Sequence, residues 1–233
     1  MTTDSTIVAV DLMVEYGSSP EVVRALDPVS LTVDGGTSVA VMGPSGCGKS
    51  TLLGLLAGLA LPSAGAVAIG DELISNLDER RRVRFRRERL GMVYQADNLL
   101  PHLTVEENTG LQLAICHGET AAGSRQQVAE VLDRLGIGEL ATRLPDQLSG
   151  GQRQRAAVAR AIIHRPSVLL ADEPTGALDG RSARVVIELL VEVQREMGAT
   201  LVLVTHDPAI AAHLDRTVEL RRPVQAQESV DAG

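Results

Sequence analysis

Gly43-Pro44-Ser45-Gly46-Cys47-Gly48-Lys49-Ser50, with Thr51 next, is the stretch whose residue types and spacing speak most directly of chemistry. Glycines at these positions let successive backbone N–H groups close around phosphate oxygens. The lysine reaches β and γ phosphates and the serine hydroxyl can ligate magnesium, while a following helix adds the positive potential of its N-terminus. Lys49 is the chain's only lysine among 22 basic residues. A glycine-rich turn that merely caps a helix gives no reason for it to stand here, and the implied ligand is a nucleoside triphosphate.

A second constellation is Val168-Leu169-Leu170-Ala171-Asp172-Glu173. Two carboxylates follow an apolar strand, at the end where open α/β sheets bind ligands. Asp172 suits a water-mediated magnesium contact, and Glu173 suits the polarisation of an attacking water. The bland alternative is that both simply mark the strand end before Pro174.

The elements that must position these groups are legible in outline. Thr37 to Met42 reads as a short buried strand, and Ser50 to Leu59 has helical length. Ile7 to Tyr16 and Ser30 to Val33 read as strands separated by turn-forming Gly17 to Pro20. Ala66 to Ile69 and Gly91 to Gln95 read as further strands, with an arginine-dense helix over Leu77 to Leu90 between them. From Asn98 to about His164 the pattern is mainly helical, including Ser124 to Leu135 and Gly150 to His164, as an inserted lobe would be. Ser167 to Ala171 and Thr200 to Val204 are continuous apolar runs that fit strands buried on both faces of a parallel sheet. They bracket a helix near Ala183 to Met197, and Thr217 to Leu220 supplies a last strand.

Leu148-Ser149-Gly150-Gly151-Gln152, followed by Arg153-Gln154-Arg155-Ala156, lies between the phosphate loop and the paired carboxylates. Ser149 is a plausible helix N-cap, yet the three motifs in this order closely resemble the ATP-binding cassette (ABC) ATPases. Tyr16 then resembles the aromatic that stacks on adenine, Gln95 the Q-loop glutamine, Gly176-Ala177-Leu178-Asp179 the D-loop and His206 the switch histidine. The resemblance covers about residues 5 to 220. Tyr16 offers a π face for a base, Gln95 can join Ser50 at magnesium, and His206 can donate to the γ-phosphate.

The resemblance implies an α/β fold: a P-loop NTPase (RecA-like) core with an antiparallel β subdomain and an inserted α-helical subdomain. One domain would span 1–222, with core segments 1–95 and 165–222 and a helical part of about 96–164, before a polar, flexible tail over 223–233. It implies ATP and Mg2+ as cofactors, with Lys49, Gln95, Glu173 and His206 catalytic and Ser50, Gln95 and Asp172 (through water) at the metal. The phosphate loop from Gly43 to Thr51, Tyr16 and Asp179 would bind nucleotide. ATP on one cassette would be closed over by Ser149, Gly150, Gly151 and Gln152 of a second, as in a homodimer, and closure on ATP followed by opening on hydrolysis would make a clamp.

Phe85 to Gln95, Asn98 to Asn108 and Ala171 to Asp179 look like the lipoprotein-release, macrolide-export and cell-division subgroup. Ala96-Asp97, where a bulky aromatic pair is expected, and a last strand without its glycine-containing turn depart from that pattern. The formal charge of −8 argues against binding nucleic acid through a general positive field. Cys47 and Cys116 lie far apart and no secretory leader is expected, so a reducing cytoplasm fits. The longest apolar run, Leu52 to Leu61, contains Gly54 and Gly58 and stops at Pro62, too short for a membrane span. A transporter built on this chain would need a separate transmembrane permease, received in a groove between core and lobe at the cytoplasmic face of the membrane. The alternatives are a soluble ABC ATPase acting on nucleic acid or the ribosome, and a nucleotide-binding regulator without turnover. The arginines from Arg80 to Arg89 read as a solvated helix, or else as a contact for lipid headgroups or acidic permease residues. Cys47 reads as a small tolerated side chain, or else as a thiol whose adducts would crowd the phosphate cradle.

Overall fold

The structure is a computed structural model that describes residues 5–18, 21–118 and 124–221. The tail expected over 223–233, and Ser19 and Pro20 of the expected turn, lie outside the described residues.

Five parallel strands form the central sheet in the order β6 (Leu90–Val93), β7 (Val168–Asp172), β8 (Thr200–Val204), β3 (Ser38–Met42) and β9 (Arg216–Glu219). Strands β7, β8 and β3 are apolar over their central residues because both faces are covered. Val39, Val41, Val168, Leu170, Val202 and Val204 face one core, with helix α1 (Lys49–Leu56). Ala40, Leu169, Ala171, Leu201 and Leu203 face the other, with the lobe helices and α6 (Gly180–Met197). The alternation is the period of two that a strand imposes on its side chains. Each fully buried Leu or Val contributes about 1.5–3 kcal/mol.

An antiparallel sheet of order β2 (Glu21–Val33), β1 (Ile7–Ser18), β4 (Ala64–Ile69) and β5 (Glu72–Leu73) packs its Ile7, Leu12, Val33 and Ile69 onto the α1 side. Strand β2 begins at Glu21 and not at Ser30, because Arg24, Asp27 and Pro28 interrupt the apolar alternation that marks a strand in sequence. Pro28 is tolerated because β2 is an edge strand. Arg24 is held across the sheet by Glu15, at 2.8 Å. Helix α1 ends at Leu56, short of Leu59, since Gly58 takes a left-handed φ of 62° just beyond the cap.

Helix α2 (Glu79–Arg89) is capped by Asp78, whose side chain accepts from the Arg81 amide. Strand β6 ends at Val93, leaving Tyr94 and Gln95 in the segment beyond it. The lobe comprises α3 (Val105–His117), α4 (Arg125–Arg134) and α5 (Gly150–Ile162), with short 3-10 turns between α4 and α5. Helix α5 packs on α3 and α4 and also on β6 and α6, so lobe and parallel sheet share one apolar cluster. A short α7 (Pro208–Ala211) precedes β9.

Candidate functional site

The phosphate loop leaves β3 at Met42 and enters α1 at Lys49. Gly48 has φ 92°, and a Cβ there would lie 2.6 Å from the Ala25 carbonyl oxygen and 2.8 Å from Leu26 Cδ1. Gly43 has φ 152°, with the Leu220 carbonyl oxygen 2.6 Å and Cys47 Sγ 2.7 Å from the equivalent point. Strand β2 and the start of the C-terminal segment therefore press directly on the loop. Pro44, Ser45, Gly46 and Ser50 face solvent and Thr51 is half-buried. Cys47 turns inward and is 1% exposed, which makes it a core side chain and leaves its thiol out of the open cradle.

Lys49 is 8% exposed, and its Nζ donates to the carbonyls of Gly43 (2.9 Å) and Pro44 (3.1 Å). Among the described residues no carboxylate pairs with it. A desolvated ammonium resting on carbonyl groups has strong affinity for an anion. No side chain caps the start of α1, so its N-terminal amides remain for the same anion.

Asp172 ends β7 opposite Val204 of β8. Glu173 follows with a φ of 43°, a left-handed conformation that a non-glycine residue rarely adopts, held by its amide donating to Val204 O at 3.0 Å. Its Oε2 lies 3.0 Å from His206 Nδ1. Gln95 reaches the same place: a Cβ on Gly176 would lie 2.9 Å from Gln95 Nε2 and 3.4 Å from Glu173 Oε2. Gly176 leaves room for that approach, a role its place in the D-loop motif does not reveal. Tyr16 is 56% exposed on β1, opposite Val23 of the strand whose Ala25 and Leu26 abut Gly48.

Ser50, Gln95 and Asp172 offer only hard oxygen donors. Among the described residues no group of three or more His, Cys, Asp or Glu forms a metal cage. That donor set fits a magnesium ion held largely by water and nucleotide phosphates.

The second set of expected residues lies elsewhere. Ser149 Oγ accepts from the Gln152 amide (3.3 Å) and Gln152 Oε1 from the Ser149 amide (2.8 Å), a capping box that starts α5. Cβ atoms on Gly150 and Gly151 would lie 3.2 Å from Leu178 Cδ2 and 3.3 Å from Ser182 Cβ. The glycine pair thus permits close approach of the D-loop and the start of α6. Asp179 caps α6, accepting from the Arg181 and Ser182 amides (3.0 Å each) and the Ser182 hydroxyl (2.7 Å). The Ser182 amide and hydroxyl hold its carboxyl below the usual range. Ser149, Gly151 and Gln152 line a cleft of about 160 Å³ with Arg155, Arg181 and Ser182 that contains no phosphate-loop residue.

A family profile described as ABC transporter matches residues 26–176. The chain belongs to the ABC transporter family. The lipoprotein-releasing system ATP-binding protein LolD of Xanthomonas axonopodis pv. citri (strain 306) is 44% identical over 196 residues, covering 84% of this chain and 80% of that protein. The macrolide export ATP-binding/permease protein MacB of Burkholderia pseudomallei (strain 1710b) is 44% identical over 198 residues, covering 85% of this chain and 30% of that longer protein. Among solved structures, a dimeric form of MJ0796, a bacterial ABC transporter cassette, superposes with a TM-score of 0.85 at 37% identity, covering 92% of this chain and 94% of its own. A post-hydrolysis form of MJ0796 bound to ADP and Pi superposes with a TM-score of 0.85 at 35% identity, covering 94% and 97%.

This ABC chain has a further concavity of about 350 Å³ between α2, β6, α3 and α5. Leu59, Val83, Met92 and Ile115 give it an apolar lining, edged by Arg86, Arg87 and Arg160. Among the described residues no helix is long and apolar enough to cross a membrane.

Proposed function

We propose that this ABC transporter family member is the ATP-binding and ATP-hydrolysing subunit of a transporter or mechanotransmission system of the lipoprotein-release and macrolide-export type, working with a separate membrane permease. The observation that carries it is that the loop bearing Lys49 leaves β3, Asp172 ends β7 with Glu173 next, Gln95 follows β6 and His206 follows β8, all at the same end of parallel strands, with His206 Nδ1 3.0 Å from Glu173 Oε2. Lys49 and the amides of the phosphate loop and first turn of α1 bind and orient the β and γ phosphates. Tyr16 stacks on the base. Glu173, fixed by its strained backbone, takes the proton of the attacking water. His206 is held by Glu173 and is placed to donate to the γ-phosphate. Ser50, Gln95 and Asp172 would hold Mg2+, which when bound neutralises phosphate charge. Similarity to a cassette bound to ADP and Pi supports turnover.

Because Ser149 to Gln152 stand apart from the loop of their own chain, they would meet the nucleotide of a second, identical cassette, and α5 would aim its N-terminal dipole at that γ-phosphate. ATP would then favour the closed dimer by contacts that the open state lacks. The apolar groove between α2, α3 and α5 is where a cytoplasmic segment of the permease would seat, placing the chain peripherally at the cytoplasmic face of the membrane. The division into a core (1–95 and 165–222) and a helical lobe (about 96–164) fits this use, with α5 as the part they share.

Glu173→Gln tests the reading. The expected result is a fall in ATPase rate of about 100-fold or more, with nucleotide binding retained and ATP-bound dimers accumulating on a sizing column. A regulator without turnover would show no rate to lose, and an unchanged rate would remove Glu173 as the base.

A further inference from the structure

The segment around Gln95, from Tyr94 to Asn98, is gripped by three side chains of α5. Gln154 Nε2 donates to Tyr94 O at 2.9 Å. Arg160 donates to the carbonyls of Asn98 (2.7 Å) and Asp97 (3.2 Å), and Asn98 itself holds a left-handed φ of 49°. The third grip is an ion pair, Arg153 Nε to Asp97 Oδ2 at 2.9 Å. The same guanidinium donates through Nη1 to the carbonyl of Leu148 at 2.7 Å. Leu148 is the residue immediately before Ser149, and Asp97 stands two residues beyond Gln95. One guanidinium therefore ties the start of the Ser149–Gln152 turn to the segment that carries Gln95.

We propose that Asp97 is a positioning residue: its carboxylate fixes the Arg153 guanidinium, and through it the Leu148–Ser149 backbone, so that the Ser149–Gln152 turn is presented to the nucleotide of a second cassette. The inference rests on the ATP-driven dimer proposed above. Asp97 is one of the two positions where the sequence departs from the aromatic pair expected after the Q-loop glutamine, so the latch belongs to this chain's own residues. Both side chains are about a third exposed, at 36% for Arg153 and 27% for Asp97, and a pair so hydrated adds little to stability. What it supplies is direction. With Asp97 neutralised, Arg153 keeps one carbonyl partner and can turn its remaining donors to water, and the Leu148 carbonyl loses a fixed donor.

The test places Asp97→Asn, Arg153→Gln, the pair together and Asp97→Glu in the Glu173→Gln chain. Sedimentation gives the ATP concentration for half-maximal dimer formation, beside monomer affinity for a fluorescent ATP analogue and the melting temperature. Each single neutral variant should raise the dimerising ATP concentration by about threefold or more, and the pair together by no more than the larger single effect. Asp97→Glu should recover most of the loss, while monomer nucleotide affinity and melting temperature stay near the parent's. Unchanged dimerisation, additive single effects, or an equal loss of monomer nucleotide affinity would overturn the latch. A Glu173→Gln parent that remains monomeric at saturating ATP would instead overturn the dimer reading, and the latch with it.

Discussion

Lys49 and Glu173 show how single residues carry chemistry through their surroundings. An ammonium 8% exposed and an acid at φ 43° are both costly placements, and in the proposed function both lie where phosphate and water would react. The glycines of the loop are equally specific. Gly46 and Gly48 both have left-handed φ values, 79° and 92°, but an added Cβ meets nothing within 4 Å at Gly46 and meets the Ala25 carbonyl oxygen at 2.6 Å at Gly48. Gly46→Ala should therefore cost only the left-handed penalty, about 1–2 kcal/mol. Gly48→Ala should cost more, because β2 must move. Thermal melts of the two variants check this, and equal losses would show that β2 does not constrain the loop. The sequence motif marks both glycines alike, and only the neighbouring strand tells them apart.

At the scale of elements, α5 is the junction of the molecule: its first turn is the Ser149 capping box, its middle grips the segment from Tyr94 to Asn98, and beyond its end stands His164. His164 Nε2 meets the carbonyl of Leu90 in β6 at 3.0 Å, while Nδ1 is buried without a partner among the described residues. Burial is the main cause that lowers its pKa below the usual imidazole value, with the charge of His117 adding to it and the Leu90 hydrogen bond opposing it. Above about pH 6.5 the imidazole is neutral in both folded and unfolded chains. As the pH falls below that value the unfolded chain takes up a proton that the folded chain refuses until lower pH, so folding stability falls through this interval. Urea unfolding between pH 7.5 and the acid limb should show that slope, and His164→Gln should flatten it. A slope identical in the variant would assign the effect to other groups. The helical pattern of α5 and its cap were readable from sequence. Its grip on β6 and on residues 94–98 was not, because residues up to 74 positions apart come together there.

For the whole molecule, the groove between α2, α3 and α5 is, in the proposed function, the surface on which a permease would seat. Val83 and Ile115 line it and are 47% and 50% exposed, so changing them should leave the core intact. Val83→Asp combined with Ile115→Asp should keep nucleotide affinity and melting temperature near the parent's. It should also reduce permease recovered with the chain from detergent-solubilised membranes by about tenfold or more, as expected when charge enters an apolar contact. Undiminished recovery would place the permease elsewhere. The sequence by itself determined the phosphate loop, the strand carboxylates, the signature turn and the buried strands of the parallel sheet. Those depend on local backbone needs and on apolar runs that any covered strand requires. Tertiary structure alone decided the length of β2, whose proline is tolerated at a sheet edge and whose Arg24 is paired with Glu15 of β1, and the use of Gly176 as clearance between Gln95 and Glu173. It also decided the separation of Ser149 from its own phosphate loop and the pairing of Asp97 with Arg153. These are matters of which distant segments share a space, and composition, spacing and periodicity along one chain do not encode that distance.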